Sequence, residues 1–406
     1  MDATSPVPFG KRLQALRTQR GMTREVLGGL VGKNARWLKA VEAGEIQQPK
    51  LAVLLRLADA LRIDDLSELT GTPESALRSL GTPGHPALPA VRDAINAVPW
   101  APGDVPPEPL PVLRARLDAA WRARHASPDH RTVLGSILPS LIRDTQRAVQ
   151  ASTGDERRHA LAIMTGVWNL TQFFVAYQPD SGLLWRVAER GMTAAMESGD
   201  PHATGGAVWL LAQAHRDAGE FEAAEEVNLR ALEYLEPYLA DGSDEFAGIF
   251  GALLFEVAYT AARSGQRGTA WGYWDRAEAV ARRLPPGYYD PMTSFSRVIM
   301  AAHAVTVGVE ARQRAESLRQ ARRADALAIP SQPRRGRHLI EVARAYRLSG
   351  DDTAALGTLQ SAYRTAPETM RWNGYARQMT QELAESGPAG LRREAAGLAQ
   401  RLGVSA

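Results

Sequence analysis

No cysteine occurs anywhere in the 406 residues, which excludes disulfides, thiolate zinc sites and cysteine nucleophiles and fits a reducing compartment. Lysine is almost as scarce: all four lie in the first 50 residues, while arginine numbers 44. That imbalance points to an arginine-favouring, GC-rich coding background, so arginine clusters elsewhere carry little information. Strand-like alternation of β-branched residues never runs for more than a few positions, which leaves an all-α fold. No charged segment followed by an apolar one opens the chain, and the most apolar later stretch, "VIMAAHAVTVGV" (298–309), is too short to span a bilayer. A soluble, cytoplasmic protein with no membrane contact is expected. GxGxxG, GxSxG and HExxH are all missing, and "GGLVGKN" lacks the four-residue gap and the Ser/Thr after Lys33 that a phosphate loop needs. The eight histidines are scattered, and His215 and His303 sit at packing positions of helical segments. Catalytic residues, metal ligands and cofactors are therefore not expected, and the chain does not read as an enzyme.

What is present is apolar material, 45% of the residues, enough for two or three domains with sizeable cores. The net charge of +3 is unevenly spread: residues 10–50 carry nine Lys/Arg against three Glu, so the positive field sits at one end. Nine prolines between 82 and 111 separate two helical blocks and read as a linker or strap with one short helix near 88–98. The expected domains are 1–71, a linker at 72–111, and 112–406.

Internal repetition marks the third segment. The stretches 207–237, 250–284 and 338–368 each run apolar helix, turn glycine (Gly219, Gly265, Gly350), then a second helix with alanine five and twelve positions on. Those alanines are Ala224 and Ala231, Ala270 and Ala277, Ala355 and Ala362, and they let the two helices of a hairpin approach closely. These units resemble tetratricopeptide repeats, with Tyr346 and Pro367 also at the family's positions. Two flanking units fit less well: 160–200 has a longer turn, and 293–330 lacks the turn glycine. The resemblance implies a right-handed superhelix of helical hairpins.

"TREVLGGLVGKNARWLKAVEAGE" (23–45) reads as two short helices meeting at a glycine. Leu27 and Val31 fill apolar slots, Gly28 is the small residue where two helices cross, Gly32 permits the turn, and Asn34 caps the next helix, whose Leu38 and Val41 face the core. Residues 9–62 resemble the Cro/phage-repressor (XRE-type) helix-turn-helix family, in which an arginine and a glutamate, here Arg17 and Glu42, tie the first helix to the third. Pro49 stands where the fourth helix opens. The resemblance implies a recognition helix from Asn34 to Glu42, with Arg36 reading base edges and Ala35 and Ala40 offering methyl contacts. Arg24 and Lys50 would grip phosphates, joined by Lys33 and Lys39. Trp37 departs from the usual small polar residue; it reads either as a lid on the junction of helices two and three or as a residue of the groove.

In the repeat block, Trp168 and Gln172 recur as Trp209 and Gln213, and Phe255 with Tyr259 take the same places in the next unit. An aromatic and an amide on successive turns would line an apolar concave groove, edged by Arg216, Arg297 and Arg344 as clamps for a carboxylate or a peptide backbone. The whole chain is similar to the peptide-sensing regulators of Gram-positive bacteria and related actinobacterial regulators. That similarity implies a ligand-responsive transcription regulator, a homodimer on an inverted-repeat operator in double-stranded DNA, with a small molecule or peptide in the groove. The rival reading is a DNA-tethered scaffold whose repeats dock a protein partner. Enclosure decides between them, since a deep groove suits a small effector and a shallow one a protein.

Overall fold

Capping groups start the second and third helices. The Thr23 hydroxyl accepts the Val26 N–H at 3.2 Å and the Asn34 side-chain oxygen accepts the Trp37 N–H at 2.8 Å, each satisfying an amide that has no partner within its helix. Gly32, between them, has φ +68°, a left-handed turn that a side chain would strain. The computed structural model describes residues 8–46, 49, 51–63, 66–71, 84–97, 106–239 and 243–404, and among these every regular element is a helix.

The first domain comprises α1 (Phe9–Gln19), α2 (Arg24–Leu30), α3 (Ala35–Glu42), α4 (Leu51–Leu61) and α5 (Leu66–Thr70). Leu13, Leu27, Leu38, Leu57 and Leu61 form its core. α1 crosses α3 at Gly10, where a Cβ would lie 2.3 Å from the Val41 carbonyl oxygen, and α2 meets the start of α3 at Gly28, where a Cβ would lie 2.7 Å from that of Lys33. Helix four opens at Leu51, two residues after Pro49. Lys50 and the linker segments 72–83 and 98–105 lie outside the described residues.

The short linker helix is α6 (Leu88–Asn96). Rather than standing free, it buries Leu88, Val91 and Ile95 in the core of the following bundle. Helical hairpins then follow in pairs: α7 (Leu110–Ala126) with α8 (His130–Ala151), α9 (Gly154–Val175) with α10 (Ser181–Ser198), α11 (Pro201–Ala218) with α12 (Phe221–Leu235), and α13 (Asp244–Arg263) with α14 (Arg267–Arg283). The later pairs are α15 (Ile299–Glu310) with α16 (Arg314–Arg323), α17 (Gln332–Ser349) with α18 (Asp352–Thr365), and α20 (Gly374–Ser386) with α21 (Ala389–Leu402), the short α19 (Pro367–Trp372) preceding the last. Gly219, Gly265 and Gly350 all take the left-handed conformation, with φ between +79° and +82°, and the six paired alanines are buried between helices. Where a turn lacks glycine, Tyr177 and Arg312 occupy the same region of φ at +67° and +53°. α13 is apolar and long enough by composition to cross a membrane, but most of it is buried between its neighbours as core.

The array closes on itself. His125, at the end of α7, holds Ser331 Oγ at 2.8 Å and the Pro291 carbonyl at 2.6 Å. Glu368 accepts hydrogen bonds from the backbone N–H of Arg131 and Thr132 and from the Thr132 hydroxyl. Contacts across 166 to 237 residues thus turn an open groove into a partly enclosed cavity.

Candidate nucleic-acid interface and concave cavity

The ion pair expected to tie α1 to α3 is present and buried. Arg17 Nε donates to Glu42 Oε1 at 2.6 Å and Arg17 Nη2 to Oε2 at 3.2 Å, while Arg17 Nη1 reaches the Met22 carbonyl at 2.7 Å. Arg24, expected on phosphate, donates Nε to Glu42 Oε2 at 2.8 Å while its side chain stays 37% exposed.

Arg36 and Lys39 are exposed on α3 and Ala35 is half-buried. Of the other candidate contacts, Lys33, Trp37 and Ala40 are buried and Asn34 is exposed. Trp37 and Ala40 are each 5% exposed and Lys33 8%. Lys33 Nζ sits 5.4 Å over the Phe221 ring and 5.9 Å over Trp37, and burial pushes its ammonium pKa down despite the nearby Glu222. The Asn34 side-chain amide donates to Glu222 at 2.8 Å. Hairpin turns form the seat: a Cβ on Gly219 would stand 3.5 Å from Val53 Cγ2, and one on Gly265 3.3 Å from Ala40 Cβ. Phe221, at the start of α12, joins the core of the first domain.

On the inner side of the array lie two adjoining cavities of about 630 and 970 Å³, partly open to solvent. Gln213, Arg216, Tyr259, Arg334 and Arg337 line both. Trp209 and Phe255 line the first and Gln172 the second. The ring of Phe255 stacks on His303, centroids 3.5 Å apart, and Gln172 donates to the Leu210 carbonyl at 2.8 Å. Three candidates lie elsewhere. Trp168 is core beneath Arg190, 5.6 Å from its ring, and Phe173 faces the cavity instead. Arg297 is exposed and donates to the Arg282 carbonyl. Arg344 is buried and held by Glu341 at 2.5 Å and Glu310 at 3.0 Å.

A ladder of buried ion pairs runs along the first helices of the hairpins, from Arg216 with Glu256 to Arg344 with Glu310 and Glu341, and Arg337 with Glu341 at 2.6 Å. Burial would raise the Glu310 pKa, but Arg344 and Arg263 more than offset it and hold the carboxyl low. Burial and Glu310 push the Tyr259 phenol up. Arg216 and Arg344 therefore already have carboxylate partners. Sequence reasoning passed over Arg124, Arg131, Arg334 and Arg337, which do line the cavity; no periodic signal distinguishes them in an arginine-rich chain.

Residues 8–69 match a family model described as "Helix-turn-helix domain", so the first domain is a module of the kind found in DNA-binding transcription regulators. No curated protein matches the chain. Among solved structures it is similar to BtubC (BKLC) from P. vanneervenii, at 15% identity over 63% of this chain and 91% of that one with a TM-score of 0.39. It is also similar to Bacillus thuringiensis PlcR in complex with the peptide PapR7 and DNA (12% identity, 68% and 97% covered, TM-score 0.26). A third is the apo form of the competence regulator ComR from Streptococcus vestibularis (16% identity, 74% and 98% covered, TM-score 0.26).

Proposed function

We propose that the chain is a cytoplasmic, ligand-responsive transcription regulator. Its first domain binds double-stranded operator DNA, and a small molecule or peptide in the concave cavity governs that binding. The observation that carries this reading is that the seat of α3 and the wall of the cavity are built from the same two helices. Arg216 on α11 lines the cavity, and three residues on Gly219 touches the first domain. On α13, Phe255 and Tyr259 line the cavity, and the turn after it, at Gly265, supports Ala40 and Ile46. Arg263 fastens the two helices between these sites, donating to Asp217 at 3.1 Å. A ligand that changes the spacing of α11 and α13 changes the seat.

A duplex approaching Arg36 and Lys39 would meet the turns at Gly219 and Gly265, so the docked arrangement is the one that excludes DNA. Release requires the ligand to favour the undocked state, by roughly 5 kcal/mol for a near-complete switch. The partial enclosure of the cavity favours a small effector over a protein partner. Operator binding is by a homodimer on an inverted repeat, because a single module of this kind makes few base contacts and paired recognition helices reach half-sites about 34 Å apart.

The test is Phe221→Ser in the full chain. Phe221 is 8% exposed, and losing its burial on the first domain removes on the order of 1.5–3 kcal/mol of docking energy. With no effector added, affinity for a duplex selected from a random pool should rise about tenfold or more. Unchanged affinity would mean that docking does not control DNA access.

A further inference from the structure

We propose that the larger cavity is a site for an organic oxyanion with an apolar body, held by Arg124, Arg131 and Arg334. This deepens the reading above by naming the chemistry of the effector. Five arginines line that cavity and they fall into two groups. Arg216 and Arg337 have buried carboxylate partners in Glu256 and Glu341. Arg124, Arg131 and Arg334 have none among the described residues. Arg124 is 4% exposed and Arg131 5%. Arg124 touches His125 Nδ1 at 3.4 Å, and its guanidinium carbon stands 4.1 Å over the Phe173 ring. Arg131 donates to the Ala176 carbonyl at 3.1 Å and faces His130 Nε2 at 3.0 Å. Arg334 donates to Ser294 Oγ at 3.1 Å and to the Thr293 carbonyl at 2.9 Å. Glu368, the acid that acts on Arg131, accepts from the first amides of α8 and from the Thr132 hydroxyl.

A guanidinium does not shed its charge in a protein interior, and with Glu368 acting on Arg131 and Asp290 on Arg334 only without direct ion pairing, the cluster of three stays under-compensated until an anion joins it. Burial, then Arg334, push Arg124 down to about 9, and burial lowers Arg131 to about 10 against the opposing effect of Glu368. Arg124 Nε, Arg131 Nε, Arg337 Nη1 and Gln213 Nε2 are buried donors with no acceptor. Arg216 Nε, His130 Nδ1 and the Thr369 hydroxyl on the same wall are also without hydrogen-bond partners, so donors predominate, which suits a carboxylate, phosphate or sulfonate. Phe173, Leu184, Leu210 and Tyr259 give the wall an apolar side, while its one acid, Asp217, is held by Arg263 and Arg216, so an anion with an apolar body fits. The shared chemistry fits both a small organic acid and the free C-terminus of an apolar peptide.

The test uses the full chain without DNA, so its failure leaves the operator reading standing. The probes are anilinonaphthalene sulfonate and its uncharged counterpart N-phenylnaphthylamine, titrated by fluorescence. Arg124→Met and Arg334→Met should each weaken sulfonate binding about tenfold and leave the neutral probe within about twofold, since charge and not shape has been removed. Arg124→Met should also raise the melting temperature of the free protein, because an unpaired buried charge is gone. Displacement of the sulfonate by decanoate assigns the site to small acids. Displacement by an acetylated apolar pentapeptide with a free C-terminus, and not by its amide, assigns it to peptides. Sulfonate binding unaffected by both substitutions, or equal loss of both probes, would overturn the proposal, as would a lower melting temperature for Arg124→Met.

Discussion

Replacing Glu42 by alanine removes the acceptor of three hydrogen bonds, two from Arg17 and one from Arg24. The Glu42 side chain is 2% exposed and that of Arg17 11%, whereas Arg24 is 37% exposed. Arg24 can therefore turn to water while Arg17 stays behind as an uncompensated buried charge, a loss of roughly 3–5 kcal/mol. A domain of about 60 residues is stable by only about 3–9 kcal/mol, so the change consumes most of what holds the first domain together. Each kcal/mol moves the melting temperature of so small a domain by about 4–8 °C, which makes a drop above ~12 °C the expected result. The geometry also orders the variants. Arg17→Met leaves Glu42 paired with Arg24 and should cost less than Glu42→Ala, and the double change Arg17→Met with Glu42→Leu should cost least of the three. Hydrogen exchange on the full chain, followed by mass spectrometry, separates the parts: amides of α1 to α3 should lose protection in Glu42→Ala while those of α13 and α17 keep it. Wild-type protection across α1 to α3 would refute the reasoning, because it would mean the pair carries no net stability.

Arg36 is exposed on α3, and Arg36→Ala should weaken operator binding by about 1–3 kcal/mol and relax one base position; Lys39→Ala should weaken all duplexes alike and flatten the salt dependence. A selection returning the same base preference for Arg36→Ala as for wild type would remove Arg36 from base readout. Burial holds the His338 imidazole at about 4, below its unfolded value of about 6.5. Its contribution is fully present above about pH 6.5 and is lost as the pH falls toward 4, about 3 kcal/mol at most. His338→Gln should lessen the acid-side fall of the urea midpoint, and identical pH profiles for the two proteins would exclude His338 as a source of acid sensitivity.

The helix-turn-helix was legible because its determinants are local. Asn34 caps, Gly32 turns, Gly28 allows a close crossing, and Arg17 and Glu42 stand at the spacing of the family the segment resembles; the Thr23 cap and the Gly10 crossing were found only in the structure. The hairpins were legible for the same reason, through Gly219, Gly265 and Gly350 and the buried alanines. Tyr177 and Arg312 show where this signal fades: both take the left-handed conformation without being glycine, so the turns they make leave no mark in composition.

The cavity was legible in part. Register along the first helices picked out Gln172, Trp209, Gln213, Phe255 and Tyr259, all of which face inward. It failed at Trp168, which turns toward Val149 on α8 and Arg190 on α10, while Phe173 takes the inward position, edge-on to Trp121 at 5.4 Å. It failed differently with the arginines. A concave arginine looks available from its helix alone, yet Arg216 and Arg344 are matched to Glu256, Glu310 and Glu341 on neighbouring repeats. The three that stay unmatched lie at the seam where residues 124–131 meet 334, brought together by closure of the array across some 200 positions. Whether a buried guanidinium is free to bind is set by what faces it across such a seam, a property of the closed array that no single repeat encodes.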